Sequence, residues 1–328
     1  NEMYLVTDSL LARGSEIVTL TGTAKLAATP ACPAGVNPLQ TLLNSSWALR
    51  TLTPYWSNLS PRPTSGSVGF FNPYIANGQG FLTAVETVNN AGVLTRRAPE
   101  SGRYIIYPDC SGGEIMLMNR TVPVQFEFIF TSNALDEMYM INDAMTNTGL
   151  SVLMGQAKKR AVTAPCPADP LQYLNNSSWT FQVRGSQLNF PVASAAAIGR
   201  FSASVVNGQG VLSISETVRD GNTVLRGIQA TGRYQVYPDC SGGELMFMVN
   251  RQAVQYEFVT VNDNEIYFVS DSLVGARTQP AVLVGSALRG TPAGCRAGVA
   301  PLQTLNATSW AFRTFAPFYA SEPGGFPP

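Results

Sequence analysis

The chain has 328 residues, no formal net charge and 13% charged side chains, about half the usual quarter. That balance excludes a nucleic-acid partner, which needs a basic face to displace phosphate counterions, and 45% apolar residues exclude a disordered chain. There is no histidine and no CxxC pair among the five cysteines, so the commonest general base and the usual zinc pattern are missing and no cofactor or metal is expected.

From the N-terminus, "NEMYLVTDSL" reads as a strand, and it returns as "DEMYMINDAM" from Asp136 and "NEIYFVSDSL" from Asn264. The first 31 residues therefore read as the C-terminal strands of a preceding repeat, and a chain that opens on Asn1 reads as one processed, trimmed or cut from something longer. A Pro-rich segment holding Cys32 follows, and then "PLQTLLN" (Pro38 to Asn44), enough for one or two helical turns. "NSSW" ends at Trp47 and again at Trp179, and "ATSW" ends at Trp310; "NGQG" recurs at Asn77 and Asn207, and "GRYIIYPDCSGGE" from Gly102 returns as "GRYQVYPDCSGGE" from Gly232. A period of roughly 130 residues is far longer than a solenoid unit, so each repeat is expected to be a domain: 32–161, 162–290, and the start of a further one in 291–328.

Within 162–290, eight runs alternate apolar and polar residues: "SWTFQVR", "GRFSASVV", "GVLSISETV", "RGIQATGRYQVYP", "GELMFMVN", "AVQYEFVT", "NEIYFVSD" and "AVLVGSALR". Asn-Gly and Gly-rich turns separate them at hairpin spacing, the pattern of antiparallel sheet. Eight sequential strands predict an all-β chain of tandem up-and-down barrels, whose closure leaves no edge exposed; the alternative is a pair of β-sandwiches. No apolar run approaches the ~18 residues of a membrane-spanning helix.

Candidate site residues come from misfits to the alternation. Leu82, Ala84, Glu86 and Val88 share the more apolar face of their strand, as do Leu212, Ile214, Glu216 and Val218. A carboxylate aimed into a barrel costs free energy unless paired, so Glu86 and Glu216 are candidate ligand contacts, or structural groups at the barrel mouth. The strands around Tyr4, Tyr139 and Tyr267 are apolar on both faces. A barrel buries only its inside, so these tyrosines are candidate assembly contacts, covered by a neighbouring repeat or another copy. Met246, Met248 and Phe258 read as inward residues that fill or line a cavity. Trp47, Trp179 and Trp310 read as plugs at one barrel end. Sequons stand at Asn44, Asn58, Asn119, Asn175, Asn176 and Asn306. The cysteines allow two pairings: Cys32–Cys110 with Cys166–Cys240, or Cys110–Cys166 with Cys240–Cys295. Either favours an oxidising, extracellular or cell-surface location.

Trp47, "NGQGFL", "GRYIIYPDCSGGEIMLM" and "VQFEFIF", with the equivalent set from Trp179 to Phe258, resemble bacterial secreted proteins carrying a GxYxVxPDCxG motif. Those are treated as lipocalin-like (calycin-type) β-barrels. The resemblance implies the barrel fold and export. It also implies the first cysteine pairing, because the resembling proteins carry a Cys just upstream of the first strand. Function is expected to be that of a structural or interaction protein, an array partnering copies of itself or neighbouring repeats head to tail in a filament, stalk or surface layer. The alternative is a binder of a small apolar ligand. With no histidine and no second catalytic group beside the carboxylates, the chain does not read as an enzyme.

Overall fold

The computed structural model describes residues 2–6, 21–25, 32, 35–52, 65–119, 122–131, 134–142, 153–161, 165–187, 194–220, 223–249, 252–274 and 281–290, with backbone alone in 2–6 and 21–25. The chain divides into two compact units, one of residues 27–291 and one of the terminal segments 1–26 and 292–328. In the terminal unit the described part is one antiparallel pair, β1 (Glu2–Val6) with β2 (Thr21–Lys25).

The larger unit holds two closed eight-stranded barrels, each running up and down in sequence order. The first is built from β3 (Trp47–Leu52), β4 (Ser65–Ala76), β5 (Gln79–Asn90), β6 (Val93–Ile106), β7 (Gly112–Asn119), β8 (Val122–Phe130), β9 (Glu137–Asn142) and β10 (Met154–Lys159), with β10 closing onto β3. The second comprises β11 (Ser177–Gln187), β12 (Ser194–Val206), β13 (Gln209–Asp220), β14 (Thr223–Val236), β15 (Gly242–Val249), β16 (Gln252–Asn262), β17 (Glu265–Val274) and β18 (Ala281–Gly290), with β18 closing onto β11. The fold is therefore all-β barrels, not sandwiches. The described helical content is two single 3-10 turns, Pro38–Leu42 and Pro170–Tyr173.

Local chemistry accounts for the hairpins. Asn77-Gly78 and Asn207-Gly208 both take left-handed backbone (φ 50° and 74°, 51° and 72°), the two-residue turn whose twist suits antiparallel strands. Along the end of β6, Ala98, Glu100, Gly102, Tyr104 and Ile106 are buried while the residues between them are exposed, so one face lines the barrel interior. Each 3-10 turn closes one barrel end. Its first-turn donor is met by the Asn37 or Asp169 side chain, and its Leu39 or Leu171 carbonyl accepts from the hydroxyl of Tyr104 or Tyr234. Trp47 stacks on Phe71 and Trp179 on Phe201 beside these plugs, both with centroids 6.1 Å apart, and both indole N–H groups donate to a serine.

Disulfides Cys32–Cys110 and Cys166–Cys240 tie the segment before each plug to the turn after β6 or β14, with Cα atoms 5.1 and 5.5 Å apart. This is the pairing the resemblance implied; Cys295 and Trp310 lie outside the described residues.

One inward assignment needs correction. Leu245 and Phe247 line the second barrel's core with Phe258, while Met246 and Met248 are about half exposed on its outer face. The intervening residues have the shape to pack, so the strand turns its branched and aromatic side chains inward and its methionines out.

The terminal pair repeats a register seen in the first barrel. Glu2 faces Lys25, Tyr4 faces Thr23 and Leu5 faces Gly22; Glu137 faces Lys158, Tyr139 faces Gln156 and Met140 faces Gly155.

Candidate functional site

Two features stand out from ordinary barrel packing: carboxyls inside the barrels and a built contact between them. Inside the first barrel Glu86 is buried, and the residue directly across the ladder is Gly69. A Cβ at Gly69 would lie 2.5 Å from the Val85 carbonyl oxygen and 3.2 Å from the Glu86 Cβ, so glycine leaves the room the carboxyl needs. Gly199 stands across from Glu216 in the same way. Burial pushes Glu86 up to about 8, nearby Glu100 adds to this, and a hydrogen bond with Ser67 opposes it. Ser67 in turn shares a hydrogen bond of 2.7 Å with Thr51.

Glu100 is buried, raised by its own desolvation, and neither carboxyl oxygen has a hydrogen-bond partner. Sequence reasoning missed it. The signal was its phase with Gly102 and Tyr104, together with the repeat's Ala230 at the matching place. In the second barrel burial alone raises Glu216 to about 7. Arg103 and Arg233 are exposed and reach neither carboxyl's face.

The second feature joins the outer face of β3–β6 to the outer face of β15–β18. Its apolar centre holds Ala48, Leu52 and Val68 from the first barrel against Val259, Val261, Tyr267, Val269, Val282 and Val284 from the second. Tyr267 thus faces outward from its own barrel and is wholly buried under the neighbour. The Arg50 guanidinium lies 4.7 Å from its ring centroid, and burial raises its hydroxyl above the usual tyrosine range. Tyr139, in the matching place on the first barrel, is half-buried. Tyr4 lies in β1, where only the backbone is described.

Polar groups around this centre are complementary in charge. Arg96 meets Asp271, Glu257 and Glu244, Arg97 meets Asp239 at 3.4 Å and caps the Tyr237 ring, and Lys158 meets Glu265 at 2.8 Å. Cations come from the first barrel and anions from the second. Arg160 donates to the Thr260 carbonyl and hydroxyl, both at 2.9 Å, and lies over Phe70. Asn89, fully buried, donates to the Ser270 carbonyl at 2.6 Å and accepts from Gly92 N–H, so both ends of its amide are satisfied. Thr87 donates to Glu257, whose carboxyl is raised by burial against the pull of Tyr237, Thr87 and Arg96. The β-bulge opposite Thr87 inserts one extra residue in β6, so Arg96 and Arg97 stand together beside Thr87 and both reach the neighbour, while β5 keeps its alternation with Glu86 inward and Thr87 and Asn89 outward. Period-2 reading from sequence could not locate that shift.

Among the described residues no helix is long and apolar enough to cross a membrane, which says nothing of β-barrels. The two disulfides fit an oxidising, extracellular setting.

No family model matches the chain, and no curated protein matches it. Solved structures do. Kievitone hydratase from Nectria haematococca is 8% identical, with 81% of this chain and 97% of that one covered at a TM-score of 0.27. A putative AttH from Nitrosomonas europaea is 10% identical over 80% and 99%, also at 0.27. A protein of unknown function from Nostoc punctiforme is 11% identical over 78% and 100%, at 0.22. These likenesses are too low to carry an argument; the barrel assignment rests on the chain's own strand order.

Proposed function

We propose that this chain is an extracellular structural or interaction protein, a tandem array of barrels that forms or decorates a filament, stalk or surface layer. The observation that carries this reading is the contact between the barrels. Each interior is filled by its own side chains, including Trp47, Phe71, Phe126 and Phe128 in one and Trp179, Phe201, Tyr256 and Phe258 in the other. The apolar surplus of the strands is spent on outer faces, where it joins one barrel to the next. The repeated register of β1–β2 supports reading 1–31 as the last strands of a repeat of the same kind. No catalytic role is assigned to Glu86 or Glu216.

A second reading, a lipocalin-like binder of a small apolar ligand, draws on the unpartnered carboxyl of Glu100 beside Glu86 in the first barrel. Negative-stain imaging with sedimentation velocity on native material separates the two. Linear particles that lengthen with concentration are expected. A strict monomer at high concentration that releases a stoichiometric small molecule on solvent extraction would overturn the assembly reading.

A further inference from the structure

Resting on that assembly reading, we propose where two copies of the chain meet: an outer patch on the first barrel of one copy docks in a groove on the second barrel of another. The contact repeats the one already formed between the barrels of a single chain.

The patch is Ile129, Ile141 and Met154, exposed by 55%, 47% and 53%. Strand register makes these the counterparts of Val259, Val269 and Val284: Ile129 pairs with Tyr139 as Val259 does with Tyr267, and Ile141 pairs with Met154 as Val269 does with Val284. Those three valines are buried in the contact between barrels, at 7%, 0% and 5% exposure. The same shape and chemistry therefore stand covered on one barrel and bare on the other. The acidic frame repeats as well. Glu114 faces Glu127 as Glu244 faces Glu257, and Tyr107 donates to Glu127 as Tyr237 donates to Glu257.

The groove, of about 570 Å³, opens on the outer face of the second barrel along Thr180, Ile198, Arg200, Ser215 and Thr217, and its wall reaches the inward Glu216. Register makes them the counterparts of Ala48, Val68, Phe70, Val85 and Thr87, on the face where the first barrel receives the second. Ile198 is 62% exposed where Val68 is fully buried. Arg226 stands where Arg96 does, one residue before the bulge position held by Gly227 or Arg97. Three apolar positions of the receiving face are polar in the groove, so the contact between copies is weaker than the one within a chain. Patch and groove differ and lie on different barrels, so the contact is heterologous and propagates unless its rotation closes a ring.

The test uses the full chain in sedimentation velocity, with Ile141→Arg and Ile198→Arg as variants at exposed positions outside both cores. Wild type is expected to form a concentration-dependent series, and each variant alone to weaken self-association at least tenfold. A mixture of the two is expected to stop at a one-to-one complex, because one variant keeps the groove and the other keeps the patch. Arg226→Glu is expected to weaken association and Glu127→Arg in the partner copy to restore it. Assembly that neither arginine variant alters overturns this contact and leaves the assembly reading standing. Wild type that stays monomeric at millimolar concentration overturns both.

Discussion

Arg96 reaches from the first barrel to Glu257 of the second, 3.5 Å away, across a contact in which the arginine side chain is 44% exposed and the glutamate 2%. The asymmetry matters because removing the arginine leaves Glu257 and Asp271 without their cation in a site that water hardly reaches. Breaking a fully buried pair costs about 3–5 kcal/mol, and solvent screening at the arginine brings the expected loss for Arg96→Ala to about 2 kcal/mol. Denaturant unfolding, followed by Trp47 and Trp179 fluorescence, is expected to change from one transition to two as the barrels uncouple. A single transition at an unchanged midpoint would show that the ion pairs contribute nothing to the coupling.

Stability is expected to fall as pH rises, owing to the interior carboxyls. Glu86 sits at about 8 in the folded chain against an ordinary 4.5, so the folded state holds a proton that the unfolded state releases between those values. Its contribution is fully present below pH 4.5, declines by up to about 1.4 kcal/mol per pH unit, and is gone above pH 8. Glu216 follows the same sign with an upper limit near 7. Glu86→Gln is expected to flatten the dependence of unfolding midpoint on pH between 4.5 and 8 and to raise stability at neutral pH. A variant with the wild-type slope would place the titration elsewhere.

Each disulfide closes a long loop, with sequence separations of 78 and 74 residues. The chain-entropy model gives about 4 kcal/mol for loops of that length. The double variant Cys166→Ser with Cys240→Ser is expected to lower second-barrel stability by about that amount and to loosen the Pro170–Tyr173 plug, which amide exchange at Leu171 would report. Non-reducing peptide mapping should return Cys32–Cys110 and Cys166–Cys240 peptides; a Cys110–Cys166 peptide would contradict the structure.

The bulge of each barrel holds a left-handed residue, Arg97 with φ 44° and Gly227 with φ 63°. Glycine takes this conformation freely, whereas an L side chain loses about 1–2 kcal/mol there. A Cβ at Gly227 would meet nothing within 4 Å, so Gly227→Ala is expected to cost about 1 kcal/mol by backbone strain alone. Arg97→Gly is expected to relieve the first barrel of the same strain while weakening the tie to Asp239, Ser241 and Tyr237. A double-mutant cycle of Arg97→Gly with Asp239→Asn should give a coupling of about 0.5 kcal/mol.

Sequence by itself determined the barrels, because the repeat, the Asn-Gly turns and the period-2 alternation are local properties of the backbone. It also placed Glu86 and Glu216 on the inward face, where the structure has them buried. Tertiary structure decided the rest, since a side chain facing out of a barrel carries no mark of what lies beyond it. Tyr267 and Tyr139 share a sequence pattern, yet one is wholly buried and the other only half-buried. Asn89 and Arg96 owe their partners to the neighbouring barrel, and Arg96 its place to a bulge. Those contacts depend on the docking of two surfaces far apart in the chain, 181 residues for Asn89 and Ser270, a separation at which no local periodicity operates.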